Sequence, residues 1–290
     1  MIDTPTEGTA RLLVQCPDQP GIVAAVSQYL DRHGANIVRG DQHSTGGEDP
    51  RFFLRVEYNV AGLDGSATAI AEGFGEEVAA RFAMDWHVSY SADRPRIAIL
   101  GTREPNCVLD LLWRARTEEL AADVVMVISN REILRPLAER FSVPFEHLPV
   151  TRETKVEQEK EMLELLCGRV DLVVLARYMQ ILTPTFLDAY PQQIINIHHS
   201  FLPAFAGADP YGQAEERGVK IIGATAHYAT AELDAGPIIE QDVLRVTHRD
   251  TRADLMRVGR ELERQVLARA VRWHIEDRVL VHDNKTVVFQ

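Results

Sequence analysis

Nothing in this chain is apolar for long enough to span a bilayer, and its first residues, MIDTPTEGTA, have neither the basic start nor the apolar stretch of a secretory signal. A membrane span and an export signal are therefore not expected, and a cytoplasmic location is. Basic charge is in deficit as well: 31 Lys and Arg against 43 Asp and Glu leave a net charge of −12. A nucleic-acid backbone needs a basic stripe, so nucleic acid is not an expected partner. An anionic small substrate stays compatible, because local potential can oppose net charge. Cysteine is scarce. Cys16, Cys107 and Cys167 are odd in number and far apart, which argues against a disulfide framework and for small buried hydrophobes in a reducing compartment. Internal repeats and low-complexity segments are missing too.

What is present fits a soluble globular chain, with 46% hydrophobic and 26% charged residues. At 290 residues two domains are the fair expectation. The order in residues 9–91 reads as βαββαβ, the ferredoxin-like plan. Strands are expected at 10–16, 36–45, 51–60 and 84–90, and helices at 22–34 and roughly 66–82. Ser91-Ala92-Asp93-Arg94-Pro95 is the expected linker. In residues 96–290 the rhythm becomes alternating β and α. The short apolar runs at 96–101, 123–129, 171–177 and 193–199 read as strands covered on both faces. Helices are expected at 108–116, 133–141 and 154–168, the last with Thr154 and Glu157 in capping-box spacing and Gly168 at its end. This is the pattern of a doubly wound α/β domain with a mostly parallel sheet. Strands at 224–229 and 237–244, a long helix over roughly 251–275 and a terminal hairpin follow.

The chemistry concentrates in Asn196-Ile197-His198-His199-Ser200-Phe201-Leu202-Pro203. Residues two apart on a strand share a face, so Asn196 and His198 project together while Ile195 and Ile197 face the core. An open α/β sheet collects ligands at the C-terminal ends of its strands, where this pair lies. Asn196 can donate to a carbonyl oxygen without a change of charge, the role of an oxyanion donor. His198 can add a second donor or move protons near neutral pH. A second cluster runs from His227 through Thr230-Ala231-Glu232-Leu233-Asp234-Ala235-Gly236-Pro237. Asp234 beside His198 would orient the imidazole and position a water. Together these groups suit acyl transfer. Each has a plain structural reading as well: a satisfied strand Asn or His, and an Asp in a turn. A metal site is not expected, since His198 and His199 point oppositely and no zinc spacing completes a set.

The first domain's Cys16-Pro17-Asp18-Gln19-Pro20-Gly21-Ile22-Val23, with Gly34-Ala35-Asn36-Ile37, resembles the ACT domain, a regulatory module. A helix N-terminus opened by glycine accommodates a carboxylate. The resemblance implies an amino-acid effector held by Asp18, Gly21, Asn36 and Ile37, or homo-oligomerisation through the sheet edge.

The stretch from Asn196 to Pro203, with His227 and Leu233-Asp234-Ala235-Gly236-Pro237-Ile238, resembles the formyltransferase superfamily of folate enzymes. That resemblance implies catalysis by Asn196, His198 and Asp234 around a formyl carbon. It also implies folate contacts from Met179, Ile181, Leu182, His227, Thr230, Ala231, Glu232 and Leu233. Within the superfamily the likeness is to the formyltetrahydrofolate deformylase family. It is carried by His199, Ala204-Phe205, Gly218 through Tyr228 and Asp277 through Phe289, and covers nearly the whole chain. It implies hydrolysis of 10-formyltetrahydrofolate to tetrahydrofolate and formate, balancing one-carbon and purine metabolism, with no cofactor beyond the folate substrate. Asn106, Arg131 and Gly212 depart from the family, which often has His there. The alternatives are a transferase passing formyl to an amine and a non-catalytic amino-acid sensor. Against the transferase, the loop Gly101-Thr102-Arg103-Glu104-Pro105-Asn106 is too poor in glycine to cradle an acceptor's phosphate.

Overall fold

The computed structural model describes residues 8–204 and 209–290, and the chain divides into two compact units. The first holds β1 (Thr9–Pro17), α1 (Ile22–Arg32), β2 (Ile37–Ser44), β3 (Arg51–Asn59), α2 (Ala67–Phe74), a π turn (Gly75–Ala79), α3 (Ala80–Phe82) and β4 (Asp85–Tyr90). Its antiparallel sheet runs β2-β3-β1-β4. Alternation on β1 sends Ala10, Leu12, Val14 and Cys16 into one core with Ile22, Val26, Tyr29 and Leu30 of α1. The single helix expected at 66–82 is instead broken by the π turn.

The first unit also includes Glu276–His282 and Val287–Gln290, which sequence rhythm groups with the second domain. Arg55 explains the attachment. It is buried on β3, and its Nε and Nη2 donate to the carbonyls of Asp277 and Glu276 at 3.0 and 3.1 Å. Arg39 similarly donates to the Gln290 carbonyl at 2.6 Å. Periodicity cannot register such side-chain to backbone bonds between distant segments.

The second unit runs β5 (Arg96–Gly101), α4 (Asn106–Arg116), β6 (Asp123–Ser129), a 3-10 turn (Glu132–Leu134), α5 (Arg135–Arg140), β7 (Phe145–His147), α6 (Lys155–Leu166) and β8 (Leu172–Leu175). It continues with α7 (Pro184–Ala189), β9 (Gln193–His198), α8 (Pro210–Arg217), β10 (Ile221–Tyr228), β11 (Ile238–Arg245) and α9 (Arg252–Ile275). A hairpin of β12 (Val279–His282) and β13 (Lys285–Val288) closes the chain. The seven-stranded sheet has order β11-β10-β9-β8-β5-β6-β7. It is parallel from β7 to β9 and antiparallel through β10 and β11. Strand order reverses between β5 and β8, the switch point at which an open α/β sheet splays its loops into a crevice. Ala98, Leu100, Val173, Leu175 and Ile194 are buried beneath it, matching the continuous apolar runs of the central strands.

The capping box at Thr154 does not form. Thr154 Oγ1 instead accepts from the N–H of Thr151 at 3.0 Å, and the helix starts without a side-chain cap. Gly168, at φ 72°, still terminates this segment as expected.

Candidate active site

Asn196 and His198 stand at the C-terminal end of β9 on one face, as the two-residue period requires. The antiparallel register with β10 sets Asn196 opposite His227 and Thr225 opposite His198. Both partners are buried. Thr225 holds the turn that follows: its hydroxyl donates to Ser200 O and accepts from Leu202 N and Gln241 Nε2, all within 3.0 Å.

His227 has a defined tautomer. Its Nδ1 lies 2.9 Å from the Tyr228 carbonyl, which can only accept, so Nδ1 carries the proton. Burial pushes this imidazole's pKa down, which keeps it neutral. Nε2 then accepts from Asn196 Nδ2 at 3.1 Å. That bond fixes the amide's orientation and leaves its second N–H free for a ligand. Asp234 Oδ1 lies 3.8 Å from the same Nε2, a separation beyond hydrogen bonding.

Asp234 instead engages His198, with Oδ2 3.2 Å from Nδ1. The imidazole bond, opposed by burial, holds the carboxyl below its ordinary pKa. His198 Nε2 is left buried with no hydrogen-bond partner among the described residues. It has a lone pair when neutral and a proton to give when charged. Asp234 has a left-handed backbone, φ 56°, which aspartate tolerates better than most residues. The loop closes tightly behind it: a Cβ on Gly236 would lie 1.8 Å from the Tyr228 carbonyl oxygen, so glycine is required there.

These side chains open on a cavity of about 400 Å³. Its lining includes Asn196, His198, His227 and Asp234 together with Met179, Ile181, Leu182, Thr230, Ala231 and Leu233, all expected from the sequence. Met179, Ile181 and Leu233 are more than half exposed and form an apolar mouth, with His198 and His227 buried behind it and Asn196 and Asp234 half-buried. Glu232 is absent from the lining; its carbonyl accepts from Thr230 Oγ1 at 3.0 Å. The segment after β8 is anchored at three points. Met179 N donates to Thr102 Oγ1, Gln158 Nε2 donates to Tyr178 OH, and Thr183 donates to buried Glu159 through both N–H and hydroxyl. A rigid wall results.

Arg177, Gln180, His199 and Asp209 also line the cavity; the stretch from Arg177 to Leu182 resembles the segment that lines the folate pocket in the superfamily, but the contacts expected from it fall on Met179, Ile181 and Leu182 alone. The signal was available for Arg177: a cation ends an apolar parallel strand, at the position where such sheets bind ligands. His199 is pushed down to about 3 by burial and then by Arg177, so it adds no charge at neutral pH. Among the three departures, Asn106 is engaged elsewhere, its Nδ2 donating to the Arg260 carbonyl at 3.1 Å. Gly212 N donates to Asp209 Oδ1, capping α8, and Arg131 N donates to Ser129 Oγ. None of the three lines the cavity. Phe205 lies outside the described residues. No group of three His, Cys, Asp or Glu among the described residues is arranged to hold a metal ion.

In the first unit, Gly21 opens α1 at φ 95° and Asp18 stands beside it at the Pro17 end of β1. Ile37 begins β2, with Asn36 immediately before it. Ile37 pairs with Tyr58, which pairs with Ala10, whereas Pro17 pairs with Arg51. The two pairs of residues therefore lie at opposite ends of the sheet, separated by roughly 20 Å of strand rise. One chain does not bring them together around one small ligand.

Residues 95–271 match the formyl transferase family and residues 10–71 match the ACT domain. With the amide, imidazole and carboxylate at one strand end, this defines the class: a formyl transferase unit joined to an ACT unit. The formyltetrahydrofolate deformylase of Bacillus subtilis strain 168 is 53% identical over 284 residues, covering 98% of this chain and 94% of that protein. The crystal structure of a formyltetrahydrofolate deformylase from Pseudomonas syringae superposes with a TM-score of 0.94 at 48% identity, covering 100% and 96% of the two chains. A glycinamide ribonucleotide transformylase from Symbiobacterium toebii, at 31% identity and a TM-score of 0.65, matches 69% of this chain and 97% of its own. The chain belongs to the formyltetrahydrofolate deformylase family.

Proposed function

We propose that this protein hydrolyses 10-formyltetrahydrofolate to tetrahydrofolate and formate, using Asn196, His198 and Asp234. The observation that carries the reading is the pre-set trio, in which Asp234 holds His198 and His227 orients Asn196, above a cavity with an apolar mouth. Met179, Ile181, Leu182 and the loop from Thr230 to Leu233 would hold the folate.

A water positioned by Asp234 and His198 adds to the formyl carbon. The new C–O bond forms as one water proton passes to His198 Nε2. The carbonyl oxygen becomes an oxyanion and accepts from the free N–H of Asn196 and from the protonated imidazole. Collapse restores the carbonyl and breaks the C–N bond, and the departing nitrogen takes the proton from His198. Formic acid then ionises, releasing one proton. Water suits this site as nucleophile, because no Ser or Cys hydrogen-bonds to His198 Nε2 among the described residues.

The first unit is read as an ACT-like module that binds an amino acid or assembles homo-oligomers, and the second as the catalytic domain. A cytoplasmic location fits a chain whose described helices include none long and apolar enough to cross a membrane. The test is formate release from 10-formyltetrahydrofolate with and without added amines. Release without an amine is expected. Strict dependence on an amine makes the protein a transferase, and folate-independent amino-acid binding without turnover makes it a sensor.

A further inference from the structure

The reaction above leaves a charge idle on another wall of the cavity. Arg177 follows β8 in a left-handed backbone conformation, φ 60°, which a long side chain adopts only where its surroundings hold it. Its Nε lies 3.5 Å from Glu263 Oε2, too loosely placed to hydrogen-bond. Both Nε and Nη1 are buried without a hydrogen-bond partner among the described residues. Glu263 on α9 is 1% exposed, and its Oε1 accepts from Tyr211 OH at 2.6 Å. Gly259, one turn earlier on α9, makes the room: a Cβ there would lie 2.0 Å from that hydroxyl. From Tyr211 the contacts continue to the His199 ring at 5.9 Å, and from His199 to His198 at 5.3 Å.

Glu263 balances the charge of Arg177 but satisfies few of its donors. Buried donors left idle are costly, and folded proteins ordinarily supply them with an acceptor. We propose that Arg177 and His199 form a carboxylate-binding pocket in the cleft that receives formate as it leaves the folate nitrogen. The proposal rests on the deformylase reading and deepens it. A guanidinium fork matches the two oxygens of a carboxylate, and hydrolysis turns a neutral formamide into that anion within the same cavity. His199, neutral at working pH, adds one N–H donor without competing charge. A phosphate is a poorer occupant: the loop Gly101–Asn106 contributes nothing to the lining and offers one glycine.

The test uses the full chain, with formate affinity measured by broadening of the 13C-formate signal and by product inhibition of turnover. The discriminating variant is R177G/E263Q, since glycine fits the left-handed backbone and glutamine leaves no lone buried charge. Loss of a charge-assisted pair predicts formate affinity weakened about tenfold or more, with the KM for 10-formyltetrahydrofolate moved by less than about threefold. E263Q alone should keep formate binding, and R177K, a point charge without the fork, should fall between. Unchanged formate affinity in R177G/E263Q overturns the proposal. So does a raised KM with formate binding intact, which would assign Arg177 to a carboxylate of the substrate, and so does phosphate displacing formate with the higher affinity. A wild-type protein that turns over formylfolate but binds no formate overturns it as well. Absence of any formate release overturns the deformylase reading, and this proposal with it.

Discussion

Asn196 allows an electrostatic account of the site to be separated from a steric one. Its amide has two N–H groups, one committed to His227 Nε2 at 3.1 Å and one left for the cavity that Asn196 lines. On the proposed mechanism Asn196→Ala removes a pre-oriented oxyanion donor, which predicts a loss of roughly 100- to 1,000-fold in kcat, or about 2.7–4 kcal/mol of barrier. It also orphans Nε2 of a histidine that is 2% exposed, which costs about 1–3 kcal/mol of stability. Asn196→Asp keeps shape and volume. Its oxygen, however, would face the lone pair of a neutral His227 and repel the oxyanion. The steric account ranks aspartate as the mildest substitution; the electrostatic account ranks it as severe as alanine or worse. Initial rates of formate release, with single-turnover measurements and urea denaturation for each variant, separate the two. An Asn196→Asp enzyme within about tenfold of wild-type kcat, or a loss in Asn196→Ala confined to KM, would refute the reasoning.

The other variants probe the supports of this site. Asp234→Asn should lower kcat, since the amide cannot carry the charge that pairs with His198. Its pH dependence has a definite sign. The carboxyl's pKa in the folded protein lies below its ordinary value of 3.8, so its stabilisation is present above that value and is lost as pH falls through the folded pKa. Denaturation curves at stepped pH should therefore show the wild-type advantage over Asp234→Asn shrinking below about pH 4. Glu263→Ala leaves the Arg177 guanidinium without its counter-charge and should destabilise by about 3–5 kcal/mol, with Glu263→Gln milder in thermal melts. Gly236→Ala drives a methyl into the Tyr228 carbonyl and should reduce kcat with stability, and a variant of wild-type activity would show that the loop relaxes freely.

Much of this arrangement is legible in the sequence because it depends on strand period. Asn196 and His198 share a face wherever a strand forms over 193–198, and the apolar runs fix that strand without tertiary information. Asp234 is harder to place. Its turn residues are visible, but the reach of its carboxylate to His198 depends on the pairing of β9 with β10. Short elements escaped: β7 has three residues and α7 six, too few for a period to accumulate. Arg177 shows its charge in the sequence but not its backbone. The apolar run suggests a strand through residue 177, whereas the strand ends at Leu175 and the backbone turns left-handed two residues later. Nothing in the local pattern announces that turn, and the carboxylate nearest its side chain, Glu263 on α9, lies 86 positions away in the sequence.

The register of β9 against β10 joins fold and chemistry in one constraint. A slip by one residue would turn Ile195 and Ile197 into the cleft and bury Asn196 and His198 among apolar neighbours. The penalty is then double, since apolar area reaches water while an amide and an imidazole lose their partners. Two features oppose the slip from outside β9. The pairing of β10 with β11 shifts between Ala226 and His227, and Tyr228 N donates to the Pro237 carbonyl at 2.9 Å beside the obligatory Gly236. The irregularity and the closed loop both flank His227, the residue that orients Asn196. Fixing His227 for packing reasons therefore also fixes the amide for chemistry. The register that keeps Ile195 and Ile197 in the core is the same one that arranges the proposed formyl site.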